Sequence, residues 1–201
     1  MGVPNLRMRQ AVFLDRDGVL NRAFVRADGK SHPPQGLDEL EILPGVARAC
    51  RALGEAGFLL IVVTNQPDVA RGAQRRVVVE AINDALRRQV AVDDILVCYH
   101  DDADGCDCRK PKPGLLLKAA GIWNIDLSHS VMVGDRWKDI EAGRRAGCRT
   151  VLVLGEGADA GPDELQWPSE CSPDLHVALL AEAIEWILQS KAELTYGGEK
   201  S

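Results

Sequence analysis

The chain has 201 residues, of which 46% are hydrophobic and 27% charged, and its formal net charge is -6. This composition is typical of a globular protein with one sizeable core, and the acidic balance argues against the basic face of a nucleic-acid binder. Without a bilayer-length apolar run or an apolar signal core at the start, we predict a cytoplasmic monomer that binds neither membrane nor nucleic acid.

Short apolar runs alternate with amphipathic segments along the whole chain. The runs predict strands at residues 11–14, 58–65, 93–100, 129–135 and 148–154. Apolar residues at helical spacing predict helices at residues 45–57, 74–89, 114–120, 138–146 and 177–189. The helix at 74–89 is predicted to turn six apolar residues inward, namely Val77, Val78, Ala81, Ile82, Ala85 and Leu86.

This alternation of strands and helices predicts right-handed βαβ units and an open parallel sheet. We therefore predict an α/β fold of three layers, in which helices cover both faces of a Rossmann-like sheet. A single domain is predicted for residues 11–190, between a flexible N-terminus (1–10) and a frayed C-terminus (191–201). Residues 155–173, which are rich in Gly and Pro, are predicted to form a long loop.

Polar residues follow four of the predicted strands. The segments are DRDGVLN after the first strand, TNQ after the second, CYH and CRKPKPG after the third, and GDRWKD after the fourth. Ligands bind beyond the carboxyl ends of the strands in such sheets. One edge is therefore expected to collect Asp15, Asp17, Thr64, Asn65, Lys110, Asp135 and Asp139.

These residue types are typical of a phosphoryl-transfer site. Clustered carboxylates repel one another unless a cation lies among them, and Mg²⁺ prefers oxygen ligands and accompanies phosphate substrates. Asp15 and Asp17 are two residues apart, so both point the same way in extended backbone. One can hold metal and attack phosphorus while the other handles a proton. The side chains of Thr64, Asn65 and Lys110 suit the remaining phosphoryl oxygens.

A second cluster lies in the segment CYHDDADGCDC. Cys98, His100, Cys106 and Cys108 give two ligand pairs of C-x-H and C-x-C spacing. Three sulfurs and one nitrogen suit a tetrahedral zinc ion, and four protein ligands leave no open position, so the predicted zinc is structural. Free thiols and a redox pair of Cys106 and Cys108 are the alternatives.

The segments FLDRDGVLN, VVTNQ, CRKPKPG and MVGDRWKDIEAG resemble, in this order, the four motifs of the haloacid dehalogenase superfamily. The branch of histidinol phosphatases and heptose-bisphosphate phosphatases is the most similar, and its corresponding Cys/His segment is a zinc loop. The resemblance implies Asp15 as nucleophile and Asp17 as general acid/base. It implies Mg²⁺ held by Asp15, the backbone of Asp17 and Asp135, with Thr64 and Lys110 on the transferring phosphoryl group.

The resemblance predicts a magnesium-dependent phosphatase with an aspartyl-phosphate intermediate. The ARG of TNQPDVARG favours a sugar bisphosphate such as D-glycero-D-manno-heptose 1,7-bisphosphate, from which the 7-phosphate is removed. Histidinol phosphate or another small phosphomonoester is an alternative substrate, because Asp68 and Arg136 depart from the bisphosphatase pattern. A phosphomutase and a non-catalytic, zinc-stabilised binding module are interpretations from other classes.

Residues 22–43 are too few for a cap domain, so the protein is predicted to be capless. This segment and the zinc loop are then expected to form the walls of the substrate site. Polar residues in or beside the four motifs are candidates for contacting the sugar or a second phosphate, namely Asn21, Arg22, Arg71, Arg109 and Arg136.

Overall fold

The computed structural model describes residues 8–155 and 171–196 of the chain. Most of the predicted loop at 155–173 lies outside the described residues. So do residues 1–7 of the predicted flexible N-terminus and residues 197–201 of the predicted frayed C-terminus. The described part of the chain contains no helix long and apolar enough to cross a bilayer.

The strands of the described chain are β1 (Ala11–Leu14), β2 (Phe24–Val25), β3 (Ser31–His32), β4 (Leu59–Asn65), β5 (Asp94–Cys98), β6 (Val131–Gly134), β7 (Arg149–Val153) and β8 (Leu175–Val177). The α-helices are α1 (Val46–Glu55), α2 (Arg76–Gln89), α3 (Gly114–Trp123), α4 (Trp137–Ala146) and α5 (Leu180–Tyr196). Six strands form a parallel sheet in the order β5-β4-β1-β6-β7-β8, and β2 pairs with β3 as a hairpin.

The central strand β1 is buried on both faces, as its unbroken apolar sequence predicts. Val12 and Leu14 pack in a core that includes residues of α1, α2 and α5. Ala11 and Phe13 point the other way, into a core that includes residues of α3 and α4. The prediction of a three-layer α/β fold with helices on both faces is confirmed.

The strand order explains where the site forms. From β1 the chain moves outward through β4 to β5, and it then returns to the other side of β1 with β6. The connections therefore diverge at the carboxyl ends of β1 and β6, which leaves a crevice there. Asp15 follows β1 directly and Asp135 follows β6, so both begin at this crevice.

The end of the chain differs from the prediction. The expected helix at 177–189 instead begins at Leu180, and Val177 ends the edge strand β8, which pairs in register with β7. Three residues are too few to show an alternating pattern in the sequence. Helix α5 also continues to Tyr196, into the segment 191–201 that was predicted to fray.

Helix α2 fully or partly buries most of the predicted inward face, but not all of it. Val77 is 60% exposed, whereas Val79, Ile82, Asn83 and Leu86 are buried. These four positions follow the spacing of a helical stripe, but Asn83 is polar and therefore did not count toward an apolar pattern.

Helix α3 continues beyond residue 120, where it was predicted to end. The helix ends at Trp123, and Asn124 takes the left-handed conformation with φ 53°. Asn is one of the few residues other than Gly that adopts this conformation at a helix end.

Between β1 and α1, the chain forms only the β2–β3 hairpin and a 3₁₀ turn at Leu37–Glu39. These are small elements, so the described residues contain no cap domain at this insertion point, as the sequence predicts. The hairpin contacts the sheet edge, where the Ser31 carbonyl accepts a hydrogen bond from Nη2 of Arg136 at 3.2 Å.

Candidate active site

Lys110 lies between two buried carboxylates at the sheet edge. Its Nζ is 2.7 Å from Oδ1 of Asp15 and 2.5 Å from Oδ1 of Asp139, and it donates to the Val63 carbonyl at 2.8 Å. Lys110 and Asp139 are each only 2% exposed. The ammonium is therefore shielded from solvent and held by three oxygens, two of them charged.

The cluster carries more negative charge than this ammonium neutralises. Burial raises the pKa of Asp15 to about 6, and the neighbouring carboxylate of Asp139 adds to the shift while Lys110 opposes it. Burial and the charge of Asp15 likewise raise the pKa of Asp135 well above its ordinary value. Burial disfavours the Lys110 ammonium, but Asp139 and Asp15 outweigh this effect and raise the pKa of Lys110.

A divalent cation fits this edge of the sheet. Asp15, Asp135 and Asp139 each offer a carboxylate oxygen within 4.8 Å of the others. Oδ1 of Asp135 is buried without a hydrogen-bond partner, which is costly unless something positive binds it. Hard oxygen ligands with excess negative charge suit Mg²⁺. Asp15 and Asp135 could hold such a cation, and the expected part of the Asp17 backbone in binding it stays a prediction.

Gly18 allows the backbone to pass close to Asp135. Its φ is +91°, and a Cβ atom built there would lie 2.2 Å from Oδ2 of Asp135. No other residue fits both the left-handed conformation and this approach. The glycine of the DRDG segment therefore sets the distance between the β1 loop and the carboxylate that follows β6.

The carboxylate of Asp17 accepts hydrogen bonds on both oxygens. Oδ1 accepts from Nε of Arg16 at 3.1 Å and from Asn21 at 2.9 Å. Oδ2 accepts from Nη2 of Arg16 at 3.0 Å and from Gln66 at 2.7 Å. Gln66 also donates to Oγ1 of Thr64 at 2.9 Å, and its bond to Asp17 links the end of β4 to the loop after β1.

Asn65 was predicted to contact the phosphoryl group, but in this structure its side chain bonds the backbone of Lys110. Its Oδ1 accepts from the backbone nitrogen of Lys110 at 3.1 Å, and its Nδ2 donates to the Lys110 carbonyl at 3.1 Å. This paired contact holds the loop that carries the lysine. The contact of Asn65 with substrate stays a prediction, and so does that of Asn21, which is fully buried beside Asp17.

The four predicted zinc ligands converge. Sγ of Cys108 lies 3.2 Å from Sγ of Cys98, 3.4 Å from Sγ of Cys106 and 3.2 Å from Nδ1 of His100. Zn–S and Zn–N bonds in a tetrahedron place sulfurs about 3.8 Å apart and sulfur and nitrogen about 3.6 Å apart. The observed separations are close to these values, so the cluster could hold zinc.

The three thiols of the cluster differ, because burial raises the pKa of Cys98 and Cys108 whereas the pKa of Cys106 is lowered. Against the opposing effect of burial, hydrogen bonds from Cys108 and from the backbone of Arg109 lower the pKa of Cys106 to about 7. Thiolates are the form in which cysteine binds zinc. Cys98, Cys106 and Cys108 form no disulfide bond.

The zinc loop packs tightly against the start of α3. A Cβ atom at Gly114 would lie 2.2 Å from the Asp107 carbonyl. Lys112 donates through Nζ to the Cys106 carbonyl at 2.8 Å and to the Gly105 carbonyl at 3.0 Å. The loop and the residues that follow Lys110 therefore form one packed unit.

Two of the predicted substrate arginines pair with aspartates of the zinc loop. Arg109 contacts Asp102 at 2.7 Å, and Arg71 contacts Asp101 at 2.6 Å. Arg71 therefore joins the loop after β4 to the zinc loop. A phosphate at either arginine would have to compete with a carboxylate.

The other two predicted arginines lie toward the hairpin. Arg22 pairs with Glu41 at 2.7 Å, and both side chains are about half exposed. Arg136 contacts the Ser31 carbonyl, and its Nε lies 3.9 Å from Asp135. Arg136 therefore lies beside the carboxylate cluster, and the roles of both arginines in binding remain predictions.

Four residues of this network were given no role from the sequence, although Asp139 was expected at the edge. Asp139 and Gln66 stand inside recognisable motifs, which was a usable signal. Asn83 interrupts the apolar stripe of α2, and a polar residue at a core position is also a signal. Arg16, fully buried, carried no signal beyond lying between two aspartates.

Residues 107–183 match a family model described as HAD-hydrolase-like. The chain is 41% identical over 155 residues to D-glycero-beta-D-manno-heptose-1,7-bisphosphate 7-phosphatase of Pseudomonas aeruginosa, covering 74% of this chain and 84% of that protein. It is 35% identical over 196 residues to the Escherichia coli K12 protein of the same name, covering 92% and 91%.

A solved structure has a similar fold. The D,D-heptose 1,7-bisphosphate phosphatase from B. bronchiseptica, complexed with magnesium and phosphate, superposes with a TM-score of 0.74 at 33% identity. The similarity covers 90% of this chain and 98% of that chain.

Proposed function

The chain belongs to the haloacid dehalogenase-like hydrolase family and is a phosphatase, and we propose that it removes the 7-phosphate from D-glycero-D-manno-heptose 1,7-bisphosphate. The proposal is supported by relatives of that name at 35–41% identity over most of the chain. The observation that carries the reaction is the buried Asp15 carboxylate beside Lys110 and Asp135.

In the proposed first step, an oxygen of Asp15 attacks phosphorus, and the bond between phosphorus and the sugar oxygen breaks. Asp17 gives its proton to the departing oxygen. Lys110 and Thr64 hold the phosphoryl oxygens during transfer. When bound, Mg²⁺ supplies positive charge that offsets the repulsion between the carboxylate and the phosphoryl group.

In the second step, a water attacks phosphorus and the bond between phosphorus and Asp15 breaks. Asp17 takes the proton from this water, which returns both aspartates to their starting states and releases inorganic phosphate. The same carboxyl group thus serves as acid and then as base.

Phosphate release is the direct test of this function. With Mg²⁺, we expect kcat/KM for the heptose bisphosphate to exceed that for histidinol phosphate and other small phosphomonoesters by at least about 100-fold. The product should keep its 1-phosphate, which phosphorus NMR can establish. Brief EDTA treatment should stop release, and added Mg²⁺ should restore it, because a site of few carboxylate oxygens and waters exchanges Mg²⁺ readily.

If kcat/KM were highest for histidinol phosphate, that compound would replace the heptose bisphosphate as the proposed substrate. The absence of phosphate release from every compound would favour the non-catalytic binding module. Transfer of the phosphoryl group to another sugar oxygen, without release of inorganic phosphate, would indicate a phosphomutase.

The Cys/His cluster gives a second prediction. We expect about one zinc per chain, and we expect Cys108→Ser to lose it, because a hydroxyl is a poor zinc ligand. Cys108 stands two residues before Lys110, so the lysine would lose one of its tethers. A displacement of about 1 Å can cost on the order of a hundredfold in rate. We expect a loss of this size, with the sheet retained by circular dichroism.

Cys148→Ser is the matched control, since that buried thiol lies outside the cluster. It should keep both zinc and activity. If Cys108→Ser lost its zinc and kept full activity, Asn65 alone would suffice to place Lys110, and the zinc loop would serve only local stability. A metal-free protein with a Cys106–Cys108 disulfide would support the redox interpretation.

The small phosphorylated substrate is the one partner we propose. A monomer and a cytoplasmic location remain predictions. Free thiols at the cluster are consistent with a reducing compartment, because thiolate ligands must stay reduced to bind zinc.

A further inference from the structure

Arg16 is a fully buried arginine that lies between the two aspartates of the first motif. Its guanidinium makes a bidentate contact, here called the fork, with the carboxylate of the next residue. Nε donates to Oδ1 of Asp17 at 3.1 Å, and Nη2 donates to Oδ2 at 3.0 Å. Two parallel bonds set the plane of a carboxylate as well as its position. Asp17 therefore cannot rotate without breaking both.

The guanidinium of Arg16 is also held by a hydrogen bond on the side away from Asp17. Nη1 of Arg16 donates to Oδ1 of Asn83 at 2.7 Å, and Asn83 is 7% exposed in the buried stripe of α2. Ile82, the neighbouring residue, fills the core with an apolar side chain. The amide at position 83 thus gives the arginine an acceptor where the helix would otherwise present a hydrocarbon.

A role in stability alone does not account for this arrangement. Replacing a buried ion pair with apolar residues of similar volume is often neutral or stabilising, so a charge here is not needed to join β1 to α2. An apolar residue at position 16 could not hold the Asp17 carboxylate in a fixed plane, because it has no hydrogen-bond donors.

Resting on the proposed role of Asp17 as general acid, we propose that Arg16, anchored by Asn83, is a positioning residue that fixes the plane and position of this carboxyl group for proton transfer to the leaving-group oxygen. Arg16 touches neither the substrate nor the metal ligands' carboxylates in this scheme. Its effect reaches the reaction through Asp17, and the effect of Asn83 reaches it through Arg16.

This role has a chemical signature. When the bond between phosphorus and a sugar oxygen breaks, the departing alkoxide needs a proton. A nitrophenolate departs readily without one. A misaimed acid should therefore slow the sugar phosphate far more than the aryl phosphate, whereas a general loosening of the fold should slow both alike.

The test compares kcat/KM of variants on D-glycero-D-manno-heptose 1,7-bisphosphate and on 4-nitrophenyl phosphate, because this constant reports the first transfer step. Arg16→Lys keeps the charge but lacks the fork. We expect it to lose about 100-fold on the sugar phosphate and less than about fivefold on the aryl phosphate. Asn83→Leu keeps the volume but removes the acceptor, and we expect losses of about tenfold and less than about twofold.

Ile82→Val is the matched control, because it trims the same helix face without touching Arg16. It should leave both constants within about twofold of wild type. Asp17→Asn separates this inference from the proposed function. If Asp17→Asn shows no selective loss on the sugar phosphate, the acid role fails and the positioning role with it. If Asp17→Asn shows that loss but neither Arg16→Lys nor Asn83→Leu does, only the positioning role is overturned.

Discussion

Asp15→Asn is expected to lower kcat for phosphate release by at least about 10⁴-fold, the size of loss seen when a covalent nucleophile is removed. An amide cannot form the acyl phosphate on which the proposed reaction depends. The substitution keeps the side-chain volume and leaves an oxygen that can still accept from Lys110. The loss should therefore appear in a folded protein, measured by steady-state phosphate release with circular dichroism on the same sample.

Asp139→Asn is the control for this variant, because it also removes one carboxylate in contact with Nζ of Lys110. Asp139 orients the lysine in the proposed scheme but does not attack phosphorus, so we expect a smaller loss, about 10–100-fold. Mass spectrometry must exclude deamidation of the introduced asparagine back to aspartate. Near wild-type turnover of an intact Asp15→Asn protein would contradict the aspartyl-phosphate mechanism.

Lys110→Met is expected to have the largest effect on stability. The ammonium is the buried positive charge between Asp15 and Asp139, and methionine has similar length but no charge. Removing one partner of a buried ion pair costs about 3–5 kcal/mol of unfolding free energy. We expect a loss of that size by urea denaturation in EDTA, and activity should fall because the phosphoryl group loses its cation.

The double variant Lys110→Met/Asp139→Asn tests the cause of this loss. With one carboxylate neutralised, fewer charges remain unpaired, so we expect it to be more stable than Lys110→Met alone. Added Mg²⁺ should also recover part of the stability of the single variant, since it binds the folded carboxylate cluster and not the unfolded chain. If the double variant were the less stable of the two, repulsion between carboxylates would not be the reason for the loss.

Several features could be predicted from local sequence because local chemistry determines them. The apolar run at Ala11–Leu14 predicts a short strand, and the structure has that strand with those bounds. The spacing of Cys98, His100, Cys106 and Cys108 brings the four side chains together because residues two apart in extended backbone face the same side. Both predictions concern residues close together in the chain.

Other features could not be predicted from the sequence because they depend on contacts between distant segments. The strand Leu175–Val177 exists because it pairs with β7, and its three residues show no pattern alone. Asn83 interrupts an apolar stripe, but its partner in the core, Arg16, lies 67 residues earlier in the chain and is visible only in the fold. The inward face of α2 was predicted correctly at Ile82 and Leu86 and wrongly at Val77, which is 60% exposed.

Motif order and strand ends are local patterns, and they were enough to predict the fold class, the family and the set of residues at the sheet edge. The way these residues share charge and hydrogen bonds is visible only in the folded chain. There Lys110 lies between Asp15 and Asp139, and Asn65 binds the Lys110 backbone. Each predicted substrate arginine contacts acidic or carbonyl oxygens. Such pairings depend on distances and burial, which arise only when segments far apart in the chain are packed together.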